Sequence, residues 1–147
     1  MMRKGMQVCT VAVLLMVMSG LSQAAELNII PHKGMNGSLR DGAKVARGQI
    51  VCRGAHIGFY VWMNARQEGK GAGRYIVQGR RDSRHEIRVR LDGEGWSPVE
   101  EGQRGVLRLG MEEQAVFNVV ADGDQYVPPD DYIFSVGGIC INNAPQK

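Results

Sequence analysis

Cys52 and Cys140 are the side chains of this sequence best placed to react with each other. The third cysteine, Cys9, lies inside an apolar run that extends from Val8 to Met18. Thiols are oxidised to disulfides in compartments outside the cytoplasm. If the segment that contains Cys9 is removed during export, an even pair remains, and we predict a disulfide between Cys52 and Cys140.

The N-terminal segment has the features of a secretory signal. Arg3 and Lys4 precede the apolar run, and the small-residue sequence Ser22-Gln23-Ala24 follows it. The run is shorter than the roughly 17 to 25 residues that cross a bilayer. We therefore predict that residues 1–24 are a cleaved signal peptide, that the chain is not inserted in a membrane, and that residues 25–147 form one domain.

The remaining polar residues do not form a recognisable catalytic or metal-binding motif. The three histidines, His32, His56 and His85, are far apart in sequence, and none has the spacing of a metal-ligand pair. The glycine-rich segment 69–73 contains a lysine but lacks the Gly-Lys-Ser/Thr ending of a phosphate-binding loop. The sequence predicts no enzyme activity, no cofactor and no metal.

An arginine strip is the strongest local charge feature. It comprises six residues: Arg74, Arg80, Arg81, Arg84, Arg88 and Arg90. Residues 92–131 reverse the balance, with ten acidic residues against two arginines. The strip has two interpretations: a surface for polyanions such as sulfated glycans, or charges that pair with acidic residues on neighbouring strands. Export makes nucleic acid an unsuitable partner.

The segment Arg80-Arg81-Asp82-Ser83 lies within this strip. It is close to the integrin-recognition tripeptide, but arginine stands where that motif has glycine before the aspartate. An integrin contact must therefore come from other residues or from a different geometry.

The elements that position these residues are predicted to be strands. Apolar residues recur with period two or in short bounded runs, without a sustained helical period. The predicted strands start at 27–29 and continue with 43–53, 58–63, 74–78, 86–91, 106–109, 115–120 and 132–136 extending towards 141. Turn residues separate them, so the sequence predicts an all-β fold of two packed antiparallel sheets.

The order of three residues favours an immunoglobulin-like sandwich. Such domains place a cysteine on the second strand, a tryptophan on the third and a second cysteine on the penultimate strand, as Cys52, Trp62 and Cys140 are ordered here. This arrangement predicts that Trp62 is in the core and does not bind a receptor. Tyr132 resembles a tyrosine corner, although it is eight residues before Cys140 and not two.

The C-terminal end predicts that the sandwich lacks its last strand. Seven residues follow Cys140, and Asn142, Asn143 and Pro145 are poor strand formers. A missing strand leaves an unpaired sheet edge. We predict that Tyr132, Phe134 and Val136 lie on this acceptor edge.

Five segments spread over most of the chain resemble a known family. They are 39–46 (LRDGAKVA), 61–64 (VWMN), 84–90 (RHEIRVR), 95–99 (GWSPV) and 134–138 (FSVGG). They are similar to the AfaD/DraD-type invasins, minor subunits of the Afa/Dr and aggregative adherence fimbriae. The resemblance implies an incomplete immunoglobulin-like fold that is completed by donor-strand complementation, with the missing strand supplied by another chain.

The resemblance also implies partners and a location. A periplasmic chaperone and an outer-membrane usher would assemble the chain, and the major fimbrial subunit would donate a strand. The chain would be exported through the periplasm to the cell surface, at the fimbrial tip or after release. Family members promote attachment to and entry into epithelial cells through β1 integrins. The alternative is a free-standing secreted or periplasmic β-sandwich module that binds polyanionic glycans through the arginine strip.

Overall fold

The computed structural model describes residues 25–33, 37–69, 71–100, 102 and 104–142. These residues form strands, turns and loops, which confirms the all-β prediction. No helix among them is long and apolar enough to cross a membrane. The predicted signal peptide, residues 1–24, and the C-terminal residues 143–147 lie outside the described part of the chain.

The described residues form twelve strands. In chain order they are β1 (Glu26–Pro31), β2 (Gly37–Leu39), β3 (Lys44–Val51), β4 (Gly58–Met63), β5 (Arg66–Gln67), β6 (Arg74–Gln78), β7 (Glu86–Asp92), β8 (Ser97–Pro98), β9 (Val106–Leu109), β10 (Gln114–Ala121), β11 (Gln125–Val127) and β12 (Val136–Ile141).

Ten of these strands make two antiparallel sheets that enclose the core. The larger sheet has six strands in the order β1-β3-β10-β7-β6-β5, and the smaller has four in the order β12-β4-β9-β8. Strands β11 and β2 form a separate two-stranded ribbon. The chain changes sheet at several connections, for example between β4 of the small sheet and β5 of the large one.

The two-residue alternation that predicted the strands also determines the core. In β7, Ile87, Val89 and Leu91 are buried, whereas Arg88 between them is exposed. Strand β10 contributes Phe117, whose ring lies against the side of Gly48 where a Cβ would stand. Glycine at position 48 therefore allows a fully buried aromatic ring to lie against β3.

The prediction that Trp62 lies in the core is wrong, and a different tryptophan is in the core. In β4 the inward positions are Phe59, Val61 and Met63, so Trp62 points to the outer face and is only half-buried. Trp96, just before β8, is buried, and its indole packs at 5.9 Å from the ring of Phe117.

All eight predicted strands are present. Strand β9 spans the residues expected for it, and β12 begins four residues later than the start of its predicted segment. The four strands not predicted are β2, β5, β8 and β11, which have only two or three residues each. Such lengths are too short for an alternating pattern to appear in the sequence.

Candidate functional site

The disulfide between Cys52 and Cys140 is present and joins the two sheets. Cys52 follows β3 of the large sheet, and Cys140 lies within β12 of the small sheet, with a Cα–Cα distance of 5.8 Å. The bond closes a loop with a sequence separation of 88 residues. It therefore ties β12 covalently to the opposite layer.

Strand β12 is an edge strand. Among the described residues it has one hydrogen-bonded neighbour, β4, with the register running from Val136 opposite Met63 to Ile141 opposite Gly58. The other side of its backbone is unpaired in the sheet. An edge of six residues is long enough to pair with an added strand.

The large sheet also ends at this side of the sandwich, at β1, which lies next to β12. Four inward positions line these two edges, here together called the acceptor seam: Leu27, Ile29, Val136 and Gly138. The three apolar side chains are half-buried and pack against the core. At Gly138 a Cβ would stand 3.0 Å from Cδ1 of Ile50 and 3.4 Å from Cδ1 of Leu27. The seam therefore borders the core directly.

Of the three residues predicted for the acceptor edge, Val136 is the first residue of β12. Tyr132 and Phe134 precede the strand, and both are buried. Tyr132 forms an isolated bridge with Gly79, and its hydroxyl donates to the carbonyl oxygen of Pro128 at 2.6 Å. This hydrogen bond gives Tyr132 the backbone contact of a tyrosine corner, in the loop that leads into β12.

Sequence reasoning missed Leu27, Ile29 and Gly138 as members of the seam. The alternation of Leu27 and Ile29 in β1 shows that both face the same side of the sheet. It does not show that β1 is the edge strand nearest β12. That placement depends on the order of strands in the two sheets, which the sequence pattern does not contain.

The loop before β12 is anchored by Asp130. Its carboxylate is fully buried and accepts hydrogen bonds from the backbone amides of Arg81, Asp82 and Asp131 and from Nδ1 of His85. Burial alone raises the pKa of this carboxyl, but these hydrogen bonds outweigh burial and hold the pKa at about 2. Asp130 is therefore ionised at neutral pH.

The arginine strip is largely used in charge pairs within the chain. Arg90 pairs with Asp41 at 2.7 Å and with Asp122 at 3.1 Å, and Arg74 lies 4.0 Å from Asp122. The hydrogen bond with Arg90, followed by the one from the amide of Gly123, holds the pKa of Asp41 below its ordinary value. This end of the strip is a local network of opposite charges.

The other end of the strip lies in the loop between β6 and β7. Arg84 binds Asp82 through two nitrogens at 2.8 and 3.0 Å, and Arg81 lies 3.5 Å from Asp131. Arg80 and Arg88 are exposed and have no ion pair within the described residues. The six arginines therefore do not present one continuous free cationic surface.

Asp82 is not presented to solvent as an isolated carboxylate. Besides its hydrogen bonds from Arg84, it lies 3.7 Å from Nε2 of His85, and Arg84 lowers its pKa strongly. The carboxylate is thus occupied by residues of its own loop. It does not reproduce the free aspartate of an integrin-recognition tripeptide.

The histidines that are packed in the fold have structural partners. Both ring nitrogens of His56 lie against carbonyl oxygens, at 2.7 Å from Gly54 and 2.6 Å from Glu112. His85 is held by Asp130. Within the described residues no group of three or more potential metal ligands is arranged to hold an ion.

The chain matches a protein family along most of its length. A family model described as the Enterobacteria AfaD invasin protein matches residues 35–138. Protein AfaD of Escherichia coli is 58% identical over 146 residues, which are 99% of this chain and 97% of AfaD. Protein AggB of Escherichia coli is 51% identical over 142 residues, which are 96% of this chain and 97% of AggB.

Solved structures agree with this match. The Escherichia coli Hda pilus minor tip subunit, HdaB, superposes with a TM-score of 0.77 at 44% identity, covering 82% of this chain and 85% of HdaB. AggB, the minor subunit of aggregative adherence fimbriae type I, superposes with a TM-score of 0.70, covering 78% of this chain and 83% of AggB. The fold is thus the incomplete immunoglobulin-like sandwich of fimbrial minor subunits.

Proposed function

Because this chain belongs to the Enterobacteria AfaD invasin family, we propose that it is a tip subunit of a surface fimbria that is completed by a strand from a neighbouring subunit. Like its family, it is a non-enzymatic protein of the cell surface. Its assembly partners are a periplasmic chaperone, an outer-membrane usher and the major fimbrial subunit. Residues 1–24 serve as its export signal.

The observation that carries this proposal is the unpaired edge of β12 beside the acceptor seam. A strand that pairs with β12 gains main-chain hydrogen bonds and places alternate side chains over Leu27, Ile29 and Val136. Each apolar side chain that is fully buried there contributes on the order of 1.5–3 kcal/mol. Without such a strand, half-buried core residues remain in contact with water.

A peptide experiment tests strand acceptance. The chain, purified as a complex with its chaperone, is mixed with a peptide of the strand that the major subunit donates or with a scrambled peptide of the same composition. We expect the native-order peptide to displace the chaperone and to raise the unfolding temperature by about 10 °C relative to the scrambled one. Equal unfolding temperatures with the two peptides would contradict the proposal.

We further propose that the assembled subunit promotes attachment to and entry into epithelial cells through β1 integrins. The support is the family to which the chain belongs, whose description is that of an invasin. The Asp82 loop does not offer a free aspartate of the integrin-recognition kind, because that carboxylate is bound by Arg84. The integrin would meet other residues of the sandwich or this loop in a different geometry.

Cell binding distinguishes this proposal from polyanion binding. The peptide-completed subunit is applied to epithelial cells with and without β1 integrin, in the presence or absence of soluble heparin. We expect binding to fall to background in the integrin-deficient cells and to persist with heparin. Binding that persists without integrin and is abolished by heparin would favour the glycan-binding alternative.

A further inference from the structure

The indole of Trp62 covers a glycine on the neighbouring edge strand. Gly137 of β12 is the register partner of Trp62. A Cβ at Gly137 would stand 2.7 Å from Nε1 and Cε2 of the indole and 2.8 Å from Cζ2. The ring therefore extends from β4 across the outer face of β12 and occupies the space of a side chain at position 137.

Hydrogen bonds hold the ring in this orientation. Nε1 of Trp62 donates to Oδ1 of Asn64 at 3.2 Å, and Nδ2 of Asn64 donates to Oγ of Ser135 at 3.1 Å. The backbone amide of Asn64 also donates to the carbonyl oxygen of Ser135, at 2.9 Å. Tyr60 packs against the other side, with ring centroids 5.4 Å apart. The half-exposed indole is thus positioned before any partner arrives, which lowers the entropic cost of a contact.

On the side of Gly137 that faces away from β4, the backbone of β12 is the unpaired edge. Neighbouring strands lie about 4.8 Å apart, and residues directly opposite each other point to the same face. A residue of an added strand opposite Gly137 therefore points outward, beside the indole. Since glycine has no side chain, Trp62 is the side chain that this residue meets across β12. Ile139, which is 46% exposed and faces the same side, extends the apolar surface along the edge.

We propose that Trp62 is a specificity-determining contact for the outer face of the strand that pairs with β12. The partner it fits is an extended segment of a neighbouring subunit with an apolar or aromatic residue opposite Gly137. This inference rests on the proposed function. It concerns the outward face of the added strand, whereas the acceptor seam receives the inward side chains.

A double-mutant experiment tests the contact. Peptides of the strand that the major subunit donates, each with one outward residue replaced by serine, are titrated against the chaperone complex of the wild-type chain and against that of its Trp62→Ala variant. We expect one serine replacement to weaken binding about five-fold to the wild-type chain and to have no effect on Trp62→Ala. The effects of the serine replacement and of Trp62→Ala would then not add, which shows that the replaced residue contacts Trp62.

Two further variants separate the contact from general stability. Gly137→Ala keeps the tryptophan but forces the indole away from β12, so it should reproduce the effect of Trp62→Ala. Leu109→Ala is the matched control, because Leu109 is 70% exposed on β9, two strands from the edge. The Leu109→Ala chain should show the same five-fold difference between the unmodified and the serine-replaced peptide as the wild-type chain.

The outcomes separate this inference from the proposal on which it rests. If the peptides bind and every serine replacement has the same effect on the wild-type chain and on both Trp62→Ala and Gly137→Ala, the indole does not contact the strand and the inference is overturned. Strand acceptance then still stands. If no peptide raises the unfolding temperature, strand acceptance and the contact fail together.

Discussion

The carboxylate of Asp130 accepts a hydrogen bond of 2.9 Å from Nδ1 of His85 and thereby joins two loops that are 45 residues apart in sequence. One loop connects β6 to β7, and the other leads into β12. Next to this contact, Gly79 leaves no room for a Cβ, because one would overlap the Asp130 carboxylate. The start of the edge strand is therefore fixed by an ionised group.

This arrangement predicts loss of stability in acid. The pKa of Asp130 is about 2 in the folded chain, below the ordinary value of 3.8, so the unfolded chain binds the proton first as the pH falls. The contribution of Asp130 is complete above about pH 5 and is lost progressively as the pH falls from there through about 2. Asp82, whose pKa is also lowered, acts in the same direction.

Asp130→Asn checks this prediction by thermal unfolding between pH 2 and pH 7. We expect the variant to unfold at a lower temperature than the wild type at pH 7, with the difference becoming much smaller as the pH falls towards 2. Glu94→Gln, at an exposed position, is the control and should not change the pH profile. A difference of the same size at pH 2 and pH 7 would assign Asp130 a role independent of its charge.

The tyrosine corner predicts a specific cost for removing one hydroxyl. Tyr132→Phe keeps the buried ring but deletes the hydrogen bond to Pro128. We expect a loss of about 1–3 kcal/mol in the free energy of unfolding, because the carbonyl oxygen loses its partner. Denaturant titration measures the change. Tyr126→Phe, at a side chain that is 66% exposed, should be neutral.

The two tryptophans should differ in their contribution to stability. Trp96 is buried and donates to the carbonyl oxygen of Val116 at 2.9 Å, so Trp96→Ala should cost about 3–5 kcal/mol. Trp62→Ala should cost about 1 kcal/mol, because Trp62 is half-buried on the outer face. Chemical denaturation of both variants decides the order. A larger loss for Trp62→Ala than for Trp96→Ala would contradict this prediction.

Removal of the disulfide should strongly lower stability. The Cys52→Ser/Cys140→Ser variant no longer restricts the unfolded chain across 88 residues, and the expected loss is about 4–5 kcal/mol. Denaturant unfolding of the peptide-completed subunit provides the measurement. Mass mapping under non-reducing conditions is the companion test, and two free thiols in the wild type would contradict the bond.

The sequence was sufficient for the layers of this fold and for their covalent link. Period-two patterns in segments such as β4 and β7 are long enough to identify a strand and its buried face. The cysteine pair is predictable because exported chains form disulfides and because two cysteines remain when the segment that contains Cys9 is removed. These inferences need only local spacing and composition, which the sequence contains.

The position of Trp62 shows where local reasoning fails. An aromatic run without interruption does not show which of its alternate residues face the core, since Phe59 and Trp62 are equally suited to burial. The choice is decided by packing in the core, where Phe59 lies against Trp96 and Trp96 lies against Phe117 of the opposite sheet. Likewise, the order of the strands decides which acidic residues pair with the arginines of the strip.

The disulfide also determines how the domain responds to mechanical force. A pull on a strand hydrogen-bonded to β12 acts first on the strand that holds Cys140. From there the load passes through a covalent bond to Cys52, beside β3, which lies between β1 and β10 in the large sheet. Tension along a fibre is thus transferred to the centre of the domain without first separating β12 from β4.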